Sequence, residues 1–304
     1  MSNAQVLNDA LAANYLLVDL RLRSWAGKTT DKTASNEVLS AHSSVSDGGS
    51  FVKNLLAGAK TELKEVHALG NALRSFVYSK TLAWSPSQDG ARRGERLLPS
   101  SQAMQFLQDL GSIKKDYDRA VLDLVAVWPQ RVAEAMRNLG TLADANDYPD
   151  AAALPSMFAV TVDLKPVPAI ADFQRLNVPA ELADALGQRS AQQAEIQVAN
   201  AMKEMQERFV EELSRVAGQF SKHANGEKTR LYSTLITNMQ GLVDMARNMN
   251  LNNNPKLTDL ADRIEQKLLQ LPIEAYRDDP VKAQVAADAA KQFVEEVSME
   301  EVWH

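Results

Sequence analysis

In VANAMKEMQERFVEELSRVAGQF, residues 198–220, apolar side chains fall at Val198, Met202, Met205, Phe209, Leu213, Val216 and Phe220, at steps of four, three, four, four, three and four. That is a heptad-like stripe with one extra step, the mark of a helix with one buried face. The flanks are rich in Ala, Glu, Gln and Lys, so the spacing predicts one helix over 179–223. At about 1.5 Å per residue it approaches 65 Å. A helix of that length pairs along its face, either with residues 101–139 of the same chain or with a second copy.

Further helices are predicted over 51–74, 101–139, 227–249, 255–271 and 280–299. Asn254-Pro255 and Asp279-Pro280 each place a side-chain acceptor at the N-cap and a proline at the first helical position. Two segments carry period two instead. In Tyr15–Trp25, Leu16, Val18, Leu20 and Leu22 alternate with Leu17, Asp19, Arg21 and Arg23; in Phe158–Leu164, Val160 and Val162 alternate with Thr161 and Asp163 until Pro166. Both read as strands. Ser75–Trp84 and Arg96–Leu98 flank a polar stretch, 85–95, that reads as a hairpin tip. Residues 30–50, Ser-rich and ending in Gly48-Gly49, read as an exposed connection. The fold class is therefore α+β and mostly helical, a small, mostly antiparallel sheet joined to a long-helix bundle. The sheet-containing part is expected over 1–175 and a helical part over 176–304.

Composition narrows the function. The 304 residues carry 33 basic and 39 acidic side chains, net −6, and the imbalance falls wholly in residues 151–304. A dedicated non-specific nucleic-acid binder carries a basic excess. With no cysteine and only His42, His67, His223 and His304, cysteine-based zinc sites are excluded and a histidine metal site is not expected. No apolar run reaches the roughly 18–20 residues of a membrane span. The first residues lack the pattern of a secretory signal. The expected compartment is the cytoplasm.

Each local motif has a plain structural alternative. Gly27-Lys28-Thr29 ends like a phosphate-binding loop, but Leu22 stands where that loop needs its first glycine, so a strand end is the better reading. Arg92, Arg93 and Arg96, with Trp84 nearby, form the densest basic cluster and are the candidates for nucleic-acid contact. Asp116 and Asp118 lie two apart, and on a helix they diverge; Asp278-Asp279 is better explained by capping. The isolated histidines stand beside no nucleophile, so no catalytic, cofactor or metal residues are assigned. Met202, Met205, Met239, Met245 and Met249 read as core filling.

Four segments taken together carry a resemblance: LRLRSWAGK (20–28), the region of Trp84, Tyr148-Pro149 leading to MFAVTVDLKPVPAIADF (157–173), and LYSTLITNMQGLVDMARNMNLNNNPKLTDL (231–260). Their order resembles the phage-associated family called domain of unknown function 3150. The resemblance implies a phage-type accessory protein of sheet and long helices, with no catalytic residues to carry over, in a bacterial host cytoplasm. Such genes often neighbour MoxR-type AAA+ ATPases and von Willebrand type A domain proteins. The leading expectation is a non-enzymatic adaptor that self-associates through the Val198–Phe220 stripe and binds such an ATPase. The alternative is a DNA or single-strand-binding accessory acting through Trp84, Arg92, Arg93 and Arg96.

Overall fold

The computed structural model describes residues 3–45, 47–58, 61–87, 90–251, 253–299 and 303. In chain order the elements are α1 (Asn3–Asn14), β1 (Tyr15–Leu22), β2 (Lys28–Asp31), α2 (Lys32–Ala41), β3 (Phe51–Asn54), α3 (Thr61–Lys80), β4 (Leu82–Ser87) and β5 (Gly90–Pro99). There follow α4 (Ala103–Leu139), α5 (Leu154–Met157), β6 (Val160–Pro166), α6 (Ile170–Gln174), α7 (Ala180–Ala224), α8 (Thr234–Asn248), α9 (Pro255–Leu268), α10 (Ile273–Arg277) and α11 (Pro280–Val297). Helices predominate over a four-stranded antiparallel sheet of order β4-β5-β1-β6, so the chain is α+β and mainly helical. A second, two-stranded sheet pairs β2 with β3.

The chain forms two compact units, each discontinuous in sequence. One comprises Met1–Asp19, Val77–Phe106 and Asp163–His304; the other comprises Leu20–Phe76 and Leu107–Val162. A single cut at residue 175 does not describe this division, because the N-terminal strand and the β4–β5 hairpin pack in the same unit as the C-terminal helices.

In the first unit α7 is the spine, with α11 laid along it and α1, α6 and α8 packed on it as well. The stripe Val198, Met202, Met205, Phe209, Leu213, Val216 and Phe220 is wholly buried in this core. α11 meets it with Ala283, Ala286, Ala287 and Ala290, small side chains at helical spacing that let two backbones approach closely. Phe220 stacks on Tyr276 with ring centroids 4.8 Å apart, and Trp303 lies 6.0 Å from Phe209 while donating to the Val297 carbonyl. Burying each of the large apolar side chains stabilises the unit by about 1.5–3 kcal/mol. The five methionines named above are buried here as well. α9 and α11 begin at Asn254 and Asp279, whose side chains accept from Lys256 N–H and from Val281 and Lys282 N–H.

In the second unit α3 buries Leu63, Val66, Gly70 and Leu73 on one face, and α4 buries Leu110, Tyr117, Val121, Leu124 and Trp128. Three local expectations fail here. Phe51–Asn54 is a strand, because the aromatic and β-branched pair Phe51-Val52 finds β2 as a partner, and the helix starts only at Thr61. Residues 32–41 are helical because Asp31 caps them, accepting from the Ala34 N–H at 3.0 Å. Finally, Ser75–Lys80 continues α3 instead of forming a hairpin arm, since Val77 follows Leu73 at helical spacing.

Candidate functional site

The long β5 strand pairs with β1 on one side and with β4 on the other. Between β4 and β5 the register runs Ala83 to Arg96 and then Ser85 to Glu95, so Trp84 is one residue too many on its strand. A bulge of this kind re-aims the extra side chain. What pins it is an ionic cluster in the first unit's core. Glu204 of α7 accepts from the Ala83 N–H at 2.5 Å, from Arg96 at 2.9 and 3.1 Å, and from Arg208, one helical turn on, at 2.7 Å. Arg96 also donates to the Thr81 hydroxyl and carbonyl, and Arg208 to the same carbonyl. The Tyr78 ring lies 3.5 Å from the Arg208 guanidinium carbon and 5.0 Å from that of Arg96.

Burial pushes the Glu204 carboxyl up, but Arg208 and Arg96 outweigh it and hold the group below the ordinary carboxylate range. Burial likewise lowers Arg96, against the pull of Glu204. The cluster is a fixed charge lattice with every charge enclosed, so it orders β4 against α7 and offers no group to a substrate.

Trp84 in turn lines a groove of about 380 Å³ with Pro168, Phe173, Leu186, Arg189, Ser190, Gln193 and Ala194. Asn8 positions its far wall: this buried side chain donates to the Pro168 carbonyl and accepts from the Ile170 N–H, so one amide holds the turn before α6. Gly187 lets α6 approach α7, since a Cβ there would lie 2.9 Å from Ile170 Cγ2.

These facts reassign the sequence candidates. Arg96 is 3% exposed and bound to Glu204, so it is not a phosphate contact, and Trp84 is 8% exposed and faces a groove instead of an open hairpin tip. The side chains of Arg92 and Arg93 lie outside the described residues. The Val198–Phe220 stripe is closed over by α8 and α11 of its own unit, so a second copy does not reach it while the core is intact. Sequence reasoning missed Glu204, which carries no local signal beyond Arg208 four residues on.

The second unit absorbs the remaining motifs. Gly27 adopts φ +65°, and a Cβ there would stand 2.6 Å from Leu63, so the glycine of Gly27-Lys28-Thr29 serves a tight turn. Trp25 meets Trp128 edge-on at 5.4 Å, and Tyr148 packs on Trp128 from 6.4 Å. Trp128 donates to the Pro149 carbonyl, Tyr148 to the Leu55 carbonyl, and the His67 ring bonds the Trp25 carbonyl. Two of the segments that carry the family resemblance thus join in one aromatic cluster. Beside it Lys53 reaches Asp147 at 2.7 Å, Asp31 at 3.1 Å and the Leu142 carbonyl. Asp147 above all holds the ammonium pKa up, and the Ala34 N–H and Lys53 hold the Asp31 carboxyl down. Asp116 and Asp118 bind Arg119 and Lys114 on the surface.

Among the described residues no group of three or more His, Asp or Glu side chains is placed to hold a metal ion, and no helix is long and apolar enough to cross a membrane. Comparison of the chain with protein-family models, curated proteins and solved structures gives no match.

Proposed function

We propose that the protein is a non-enzymatic accessory protein of phage type, an adaptor that docks a protein partner through the outer face of α7, with an AAA+ ATPase of the MoxR class as the foremost partner. The observation that carries the docking part is the division of α7 into two faces. Its seam is used up inside the unit, yet Leu182 and Ile196 remain 47% and 56% exposed, with Leu176 and Val178 exposed just before the helix. Leu182 and Ile196 are two heptads apart and therefore share a face. On this reading the partner covers both side chains and the polar stretch of α7 between them. Self-association, if it accompanies docking, uses this outer face and not the buried seam. The class of the partner comes from the family resemblance.

The test is recovery of a tagged chain from its native host, with and without nuclease, followed by mass spectrometry. The reading expects an ATPase that survives nuclease and is lost from the double variant Leu182→Asp, Ile196→Asp, whose far-ultraviolet spectrum stays that of the parent. Nucleic acid and its processing proteins, recovered in place of an ATPase and removed by nuclease, overturn the reading in favour of the nucleic-acid alternative.

A further inference from the structure

The groove in front of Trp84, whose rim adjoins the outer face of α7, has the parts of a ligand site. Its floor and walls are apolar, from Trp84, Pro168, Phe173, Leu186 and Ala194. Trp84 is more than nine-tenths buried as a residue, and its indole N–H, which has no hydrogen-bond partner among the described residues, remains open to solvent and so to a ligand. Arg189 stands at the rim and forms no ion pair among the described residues, although most arginines of this unit do. Ser190 and Gln193 add neutral polar groups along the same face of α7.

The chemistry of the lining selects the ligand. Among the described residues no carboxylate lines the groove, so they offer nothing to a cation. A single guanidinium balances a single negative charge, and among the described residues no lysine or second arginine lines the groove to meet a phosphate dianion. The volume stands at the small end of the roughly 300–1,000 Å³ typical of ligand pockets. We infer that the groove binds a small apolar monoanion, an aromatic or medium-chain carboxylate. Its hydrocarbon body lies against Phe173, Pro168, Leu186 and the Trp84 ring, and its carboxylate accepts from Arg189, with the Trp84 N–H and the Gln193 amide as further donors. The bulge at Trp84 and the Glu204 cluster behind it keep that donor in place before any ligand arrives. This is preorganisation of the usual kind.

The test uses the full chain labelled with nitrogen-15, with the Trp84 indole N–H resonance assigned by its loss in Trp84→Phe. The probes are 1-naphthoate and decanoate, the neutral 1-naphthalenemethanol, and adenosine 5′-monophosphate. The carboxylates are expected to move the Trp84 resonance saturably, and both the neutral alcohol and Arg189→Gln to weaken binding by about tenfold, which is about 1.4 kcal/mol. The assignment is overturned if millimolar carboxylate leaves the resonance in place, if the alcohol binds as tightly as naphthoate, or if Arg189→Gln changes nothing. Tighter binding of the nucleotide than of naphthoate overturns the carboxylate assignment as well. Since Leu182→Asp and Ile196→Asp probe the partner and the Trp84 resonance probes the groove, either reading can fail without the other.

Discussion

Replacing Glu204 by Gln removes the carboxylate that Arg96 and Arg208 share while keeping its size and an oxygen for the Ala83 N–H. Both arginines are left in a dry core, 3% and 6% exposed, without that counter-charge. Removing one partner of a buried pair costs about 3–5 kcal/mol, and the retained amide oxygen places this variant near the middle, at ~4 kcal/mol. With a urea slope of about 3 kcal/mol per molar, the unfolding midpoint falls by ~1.3 M. The pH dependence has a definite sign. The Glu204 carboxyl titrates below its unfolded value, so its contribution is complete above about pH 4.3 and disappears as the pH falls through the folded pKa. The gap between parent and variant is therefore widest at neutral pH and closes in acid. The triple variant Arg96→Met, Glu204→Leu, Arg208→Met, which removes all three charges, should regain most of the loss. The assay is urea unfolding followed by fluorescence and circular dichroism at several pH values. A midpoint for Glu204→Gln within ~0.3 M of the parent at neutral pH, or a gap that widens in acid, refutes the reasoning.

Tyr117 is buried with no hydrogen-bond partner for its hydroxyl among the described residues, and burial pushes its pKa up to about 12. Tyr117→Phe should raise stability by ~1 kcal/mol, seen as a higher melting temperature. It should also remove the parent's loss of stability as the pH climbs from about 10 toward the raised value, because a group with an elevated folded pKa contributes fully only below its unfolded one. Gly187→Ala, with its Cβ 2.9 Å from Ile170, should destabilise by ~1 kcal/mol, whereas Gly218→Ala on the same helix, which meets nothing within 4 Å, should stabilise by about 0.5–1 kcal/mol. Equal signs for the two in urea unfolding contradict the close α6–α7 approach. Phe209→Ala should cost ~3–5 kcal/mol, with a midpoint independent of protein concentration. Dilution that lowers its midpoint would mean the seam is shared between chains.

Periodicity carried the fold wherever one element owned its signal. The α7 stripe, the caps at Asn254 and Asp279, and the alternation in Tyr15–Leu22 were legible because each depends on residues within a few positions of one another. Elements whose state is decided by a distant neighbour were not. Phe51–Asn54 is short enough to pass as a helix start, and only pairing with Lys28–Asp31 makes it a strand. The division into units escaped for the same reason, since Leu17 and Leu97 pack with helices that begin more than sixty residues later in the chain.

The site shows the same asymmetry more sharply. Arg96 sits in the densest basic run of the sequence, and local charge density argues for a solvated, phosphate-facing side chain. What overrides it is Leu97-Leu98 on the same strand, both fully buried, and a carboxylate 108 residues away that no spacing rule connects to it. Trp84 was singled out as an aromatic beside basic residues on an open hairpin tip, and the structure instead places it against a groove. It faces a groove because β4 has one residue more than β5 across Ala83–Ser85 and Arg96–Glu95, a mismatch between two strands that neither strand records by itself. Of the charge that is visible in sequence, Arg96 is thus spent on the cluster behind Trp84. Among the described residues, the cation that lines the groove is Arg189, an arginine with no basic neighbours in sequence to draw attention to it.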